Sequence, residues 1–126
     1  MDRKKNREIL FRALSKESEK KVYGSLIYFH PGDKAFIITG IGQDFSCVEV
    51  LPETISQFIG KCDSEGNKIF EGDVVRISCN LDGEFCQDSV SIFWCERLAA
   101  FVTGKGEDCD VFDFCHTEVI GNIYED

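Results

Sequence analysis

The 126-residue sequence contains no apolar run that approaches the roughly 18 or more residues of a membrane-spanning helix. The basic residues near Met1 are not followed by an apolar segment, so we expect no secretory signal, a cytoplasmic location and no membrane partner. The sequence also has no Gly-rich phosphate loop, no catalytic triad order and no dinucleotide fingerprint. These absences predict a non-enzymatic protein with no cofactor and no catalytic residues.

The sequence has seven cysteines, but no two of them form a Cys-x-x-Cys pair. A structural zinc site usually takes two ligands from one turn, and the nearest combination here is Cys109 with Cys115 and His116. A metal-assisted enzyme that uses these residues and the acidic side chains between 107 and 113 is one alternative hypothesis. The odd cysteine count without an export signal favours free thiols, buried as small apolar side chains, and no metal site.

Charge is unevenly distributed along the chain, which has 14 basic and 23 acidic residues and a net charge of −9. Residues 1–22 hold eight basic and four acidic side chains, so the remainder is strongly acidic. An acidic body disfavours broad binding to nucleic acid. The basic start leaves one alternative open, a nucleic-acid-binding module in which Arg7 and Arg12 contact phosphate and exposed aromatic residues stack on bases.

Short apolar runs separated by dense turns predict strands rather than helices. Residues 7–14 and 22–29 are predicted to pair as a hairpin, and Gly24 within the second strand indicates a bulge or a close backbone approach. Asp82-Gly83 is a hairpin signal, and Pro52 suits the start of a single helical turn. Eight or nine such strands predict an all-β fold with little helix, either a small barrel or a folded antiparallel or mixed sheet, in one domain over residues 1–126.

Several segments together resemble the YopX family, small proteins encoded mainly by phages and prophages. The matching segments are REILFR at 7–12, VYGSL at 22–26, PETISQFIG at 52–60, Asp63, Gly66, IFEGDVV at 69–75 and EVIGNIYE at 118–125. The resemblance implies a mostly β fold and a phage or prophage origin, and no molecular activity is established for the family. The cysteine-rich stretch from Cys79 to Cys115 lies outside these motifs.

The recurring residues of these motifs specify a fold rather than a chemistry. Gly72 and Gly121 are expected to supply backbone freedom, and Asp73 is expected to cap the backbone amides of its own turn. Our leading hypothesis is therefore a phage or prophage accessory protein that binds another macromolecule. A protein partner is favoured, including further copies of the chain joined through strand edges.

Overall fold

The computed structural model describes residues 8–29, 32–40, 45–104 and 115–124. Within these ranges the chain forms ten strands and one 3₁₀ turn at Pro52–Thr54, which confirms the all-β prediction and the helical turn at Pro52. Every strand pairing with a described register is antiparallel. The strands are β1 (Phe11–Leu14), β2 (Lys21–Phe29), β3 (Lys34–Thr39), β4 (Ser46–Val50), β5 (Ser56–Cys62), β6 (Lys68–Phe70), β7 (Asp73–Leu81), β8 (Glu84–Cys95), β9 (Ala100–Thr103) and β10 (His116–Asn122).

The chain divides into two compact units, Met1–Gly60 and Lys61–Asp126. The hydrogen-bonded strand order in the first unit is β4-β3-β2-β1-β5. The last two residues of β5 belong to the second unit, and β6 is the next strand of the same sheet. The second unit contains a four-stranded sheet in the order β10-β7-β8-β9. A single domain over the whole chain stays a prediction.

Strand β2 changes its pairing partner halfway along its length. Its first half pairs with β1, from Leu14↔Lys21 to Phe11↔Gly24, and its second half pairs with β3, so the predicted first hairpin is confirmed. A Cβ atom at Gly24 would collide with the backbone carbonyl oxygen of Ile38. Only glycine fits this crossing, which confirms the close backbone approach indicated by the sequence.

The core of the first unit lies inside this bend. Ala13, Ala35, Ile37 and Val50 are buried together, one or two from each of β1, β3 and β4. An isolated bridge between Ser15 and Val50 brings the end of β4 back to the chain that follows β1. Because one bridge replaces a full ladder, the sheet is curled but is not a closed barrel, which corrects the barrel alternative.

The sheet of the second unit is built on a tight hairpin. Asp82 and Gly83 both have positive φ, the conformation of a two-residue type I′ turn, and they join β7 to β8 as their sequence predicts. The apolar run at 90–94 predicts a short strand, whereas β8 extends over the twelve residues Glu84–Cys95. Its first six residues are polar or exposed, and the ladder with β7 holds them in a strand although their sequence lacks an apolar face.

Candidate functional site

The outer side of β2 and β3 carries several exposed or half-buried apolar side chains. Alternation along β2 places Tyr23, Ile27 and Phe29 on one side, 44%, 38% and 52% exposed. Phe36 and Ile38 of β3 lie on the same side, because Phe36 is directly opposite Ile27. These five residues are called the aromatic face below. Phe29 and Phe36 pack edge to face with ring centroids 5.6 Å apart.

Charged residues border the aromatic face. Lys21 precedes Tyr23 by two positions on β2, and Lys34 is directly opposite Phe29, so both lysines share this side of the sheet. On β4, Glu49 is opposite Phe36, and its carboxylate Oε2 lies 3.3 Å from Nζ of Lys16. The border therefore offers both cationic and anionic side chains to a partner.

A shallow pocket of about 310 Å³ lies at the β4 margin of the aromatic face. Its walls include the Lys16–Glu49 pair and the exposed thiol side chain of Cys47. Cys47 is opposite Ile38 in the β3–β4 ladder, so the pocket adjoins the apolar side chains of the face. A pocket that combines an ion pair with an apolar rim suits one anchoring side chain of a binding partner.

Two buried carboxylates of the second unit fix turns. Asp63 is 6% exposed and accepts hydrogen bonds from the backbone N–H groups of Glu65, Asn67 and Val119 at 2.8–3.0 Å. Burial raises the pKa of Asp63, but the bonds from Val119, Asn67 and Glu65 outweigh burial, so its pKa lies below the usual value of 3.8. Asp63 thereby joins the 63–67 turn to β10.

The neighbouring Ser64 extends this link. Its backbone N–H donates to the carbonyl oxygen of Thr117, and its Oγ accepts the N–H of Thr117 at 2.8 Å. The backbone N–H groups of Thr117 and Val119 point away from β7. The hydrogen bonds from the 63–67 turn therefore satisfy N–H groups that would otherwise be unpaired at the edge of the sheet.

Asp73 has a similar role one turn later. It is 1% exposed, and its Oδ2 accepts the backbone N–H of Phe70 at 2.8 Å across the turn that contains Gly72. Gly72 has φ of 87°, and a Cβ there would lie 3.0 Å from the Tyr124 ring. Gly121 follows a register shift in β10, where Ile120 is the extra residue.

The sequence proposes that two basic residues, Arg7 and Arg12, contact phosphate. Arg7 lies outside the described residues. Arg12 is on β1 between the partners Tyr23 and Ser56 and is only 6% exposed. A buried guanidinium is not presented to a phosphate backbone, so this placement argues against the role assigned to Arg12.

The cysteines depart from two expectations. Cys79 and Cys115 form a disulfide with their Cα atoms 5.3 Å apart, so the expectation of free thiols is wrong for this pair. Cys47, Cys62 and Cys86 are free and exposed, and Cys95 is half-buried, so burial as small apolar side chains is also wrong for them. Cys47 lies on the outward side of β4, Cys62 and Cys95 are the last residues of β5 and β8, and Cys86 lies in the first half of β8, where every side chain is exposed. Cys109 lies outside the described residues.

No group of three or more His, Cys, Asp or Glu side chains in the described ranges is arranged to hold a metal ion. Bonding between Cys79 and Cys115 also occupies one thiol of the combination proposed from the sequence. In the described parts of the chain, no helix has the length and apolar character needed to cross a membrane.

Comparison with known proteins establishes the family. The family model described as YopX protein matches residues 10–126, nearly the whole chain, which confirms the resemblance seen in the motifs. No curated protein matches the sequence. A solved structure, protein EF1440 from Enterococcus faecalis, is similar with a TM-score of 0.59 and 18% identity, covering 95% of this chain and 96% of that one. This similarity concerns the fold alone. The chain belongs to the YopX family.

Proposed function

We propose that this protein acts without catalysis, as a phage or prophage accessory protein that binds another protein through the aromatic face. The observation that carries the proposal is the exposed row of Tyr23, Ile27 and Phe29 on one side of β2. Exposed apolar side chains that cluster on one side of a sheet are typical of interaction sites. In this proposal, the partner binds the aromatic face in the cytoplasm of a bacterial host.

The composition of the aromatic face favours a protein over other macromolecules. Tyr and Phe provide large contact areas with few rotatable bonds, which is why aromatic residues anchor protein interfaces. Ile27 and Ile38 alternate with the rings and have no planar surface on which a base can stack. The pocket beside Lys16 and Glu49 adds a place for one polar or charged side chain of the partner.

The buried carboxylates support a role without catalysis. A general acid or base needs a carboxyl group within reach of a substrate. Asp63 and Asp73 instead accept backbone N–H groups inside turns. A role in folding therefore explains why Asp63 and Asp73 are part of the motifs.

The proposal is tested by photo-cross-linking in extracts of a bacterial host. A photoreactive phenylalanine analogue replaces Phe29 in the full chain, and the same analogue replaces Phe85, which is 65% exposed on the other unit. We expect a discrete cross-linked protein at position 29 and none at position 85. Ile27→Glu should abolish the cross-link, because a charge in the middle of the face cannot be buried without a partner charge.

Leu98→Glu is the matched control, since Leu98 is also an exposed apolar residue but lies in the second unit. It should leave the cross-link at position 29 intact. A cross-link to a second copy of the chain that Ile27→Glu removes also supports protein binding. Equal cross-linking at positions 29 and 85, or a product that survives Ile27→Glu in folded protein, would overturn the proposal.

Single-stranded nucleic acid is the second candidate, because Lys21 and Lys34 share the outer side of the sheet with three aromatic rings. Stacking on such rings combined with lysine–phosphate contacts is typical of single-strand binding. Affinity should then fall steeply with added salt, and Lys34→Ala should reduce the salt dependence. Absence of binding to single-stranded DNA or RNA at low salt would remove this candidate.

A further inference from the structure

Three cysteines occupy one line across the sheet of the second unit. Cys79 of β7 is directly opposite Cys86 of β8. On the other side of β7, His116 is opposite Ser78, which places Cys115 beside Cys79, and the disulfide joins these two residues. The three residues therefore lie on neighbouring strands in the order Cys86, Cys79, Cys115, with side chains on the same side of the sheet.

The register places Cys86 next to Cys79, which is bonded to Cys115. The residues that flank a two-residue turn form a hydrogen-bonded pair, and pairs alternate from there, so Cys79 and Cys86 are again hydrogen-bonded. Such pairs have Cα atoms about 5.5 Å apart, inside the range of about 4.4–6.8 Å that disulfides tolerate. The Cα spacing of this pair is thus within the range of a disulfide, and side-chain rotation has to bring the two sulfur atoms together.

We propose that Cys79, Cys86 and Cys115 form an internal thiol–disulfide exchange site. The thiolate of Cys86 attacks Sγ of Cys79, a Cys79–Cys86 bond forms, and the Cys79–Cys115 bond breaks. The electron pair of the broken bond remains on Sγ of Cys115, which takes up the proton that Cys86 gave up. One disulfide and one thiol are present before and after, so the step needs no oxidant or reductant.

Strand order supplies the geometry for this step. Exchange requires the attacking, central and leaving sulfur atoms to lie roughly in line. The order β8-β7-β10 arranges the three residues in that sequence across the sheet. Cys86 is exposed, so its thiol is accessible, whereas Cys95 is nine residues further along β8, about 30 Å away at strand spacing.

Charge around Cys86 favours the internal reaction over reaction with outside thiols. Glu84 and Asp88 lie two residues on either side of Cys86, on the same side of β8. Their negative charges repel anionic thiols such as glutathione. Cys79 approaches from the neighbouring strand and carries no charge while it is bonded.

Exchange changes what the disulfide ties together. In the structure the bond links residues 36 apart and holds the chain before β10 against β7. After exchange it lies within the β7–β8 hairpin and leaves Cys115 free. The start of β10 then keeps its ladder with β7, the bonds from Asp63 and Ser64 and the Arg76–Glu118 ion pair, but loses its covalent link to β7. A disulfide that moves in this way suits a reducing compartment, where disulfides are usually transient.

The test follows the free thiols of the full-length, disulfide-containing protein over time at about pH 8, where thiolates are present to attack. Samples are quenched in acid, free thiols are alkylated, and peptides are mapped without reduction after cleavage at glutamate, since Glu84 separates Cys79 from Cys86. We expect alkylated Cys115 to rise as alkylated Cys86 falls by the same amount. The rate should not change over a roughly tenfold range of protein concentration, because the step is internal.

Three serine variants make the result specific. Cys86→Ser should abolish the alkylation of Cys115, whereas Cys95→Ser, which alters another cysteine of β8, should leave the exchange unchanged. Cys115→Ser should form the Cys79–Cys86 disulfide on mild oxidation. The proposal is overturned if Cys115 stays unalkylated in the unmodified protein, if Cys86→Ser has no effect, or if the rate rises with protein concentration. The first and third readouts need no variant, so misfolding of a variant does not obscure them.

Discussion

Residues 1–60 carry nine basic and eight acidic side chains, whereas residues 61–126 carry five basic and fifteen acidic. The nearly neutral unit contains the aromatic face, and the acidic unit contains the line of three cysteines. Association between macromolecules is helped where apolar surface is not surrounded by charge of one sign. The charge difference is consistent with the proposals that docking uses the first unit and thiol–disulfide exchange the second.

The two units also make their bends differently. The first unit turns where a side chain is missing, at Gly24 against the carbonyl of Ile38. The second unit fixes its turns with buried carboxylates, Asp63 and Asp73, that accept backbone N–H groups. Bends of the first kind are sensitive to added volume, whereas those of the second are sensitive to the loss of a charge or an acceptor. Substitutions at the bends of both units test this contrast, and a substitution in an exposed ion pair has the smallest expected effect.

Gly24→Ala should have the largest effect, a loss of about 3 kcal/mol in the free energy of unfolding. The added methyl group overlaps a backbone atom, and backbone cannot move away as a flexible side chain can. Urea denaturation measures the loss, and Ser25→Ala, an exposed neighbour on β2, should change stability by less than about 0.5 kcal/mol. If residues 1–126 form one domain, amide-exchange protection should fall in both units, and a fall confined to residues 1–60 would contradict that prediction.

Asp63→Asn should cost about 2 kcal/mol at neutral pH, because one carboxylate oxygen is replaced by an amide NH₂ that faces backbone donors. The pKa of Asp63 is lowered on folding, so its stabilising contribution is complete above 3.8 and is lost as pH falls through the lower folded value. Thermal melts of both proteins should therefore converge on acidification below pH 3.8. A difference that stays constant with pH would show that the charge is not responsible.

Gly72→Ala should cost about 1–2 kcal/mol, and Gly66→Ala about 1 kcal/mol. Both glycines have φ of 87°, so backbone strain is the same in both variants. The space around Gly66 is open, whereas a methyl group at Gly72 meets the Tyr124 ring. The difference between the two melting temperatures isolates this contact, and equal losses would mean that the ring moves aside freely.

Lys16→Ala should have the smallest effect on stability, below about 0.5 kcal/mol, because the Lys16–Glu49 pair is largely in contact with solvent. Any loss should shrink further as salt is added, which chemical denaturation at two ionic strengths can measure. A larger loss that salt does not change would show that Lys16 contributes through packing of its aliphatic stem.

Local signals in the sequence were the most informative about the fold. The Asp82-Gly83 turn, the 3₁₀ turn at Pro52 and the β1–β2 hairpin were predicted, since each depends on residues close together in the chain. The length of β8 was missed, because its polar first half becomes a strand only by pairing with β7. For the candidate site, the sequence indicated aromatic residues suited to a binding surface, but it did not show which of them are exposed.

By itself, the sequence determined the all-β class, the family and the net charge, because turn residues, strand-forming residues and charges act through composition and short spacing. Only the tertiary structure decided that Tyr23, Ile27 and Phe29 face outward, that Arg12 is buried, and that Cys79 lies between Cys86 and Cys115. These outcomes depend on the register between strands. Register brings together residues that are distant in sequence, and a shift of one position moves every side chain to the other face of the sheet.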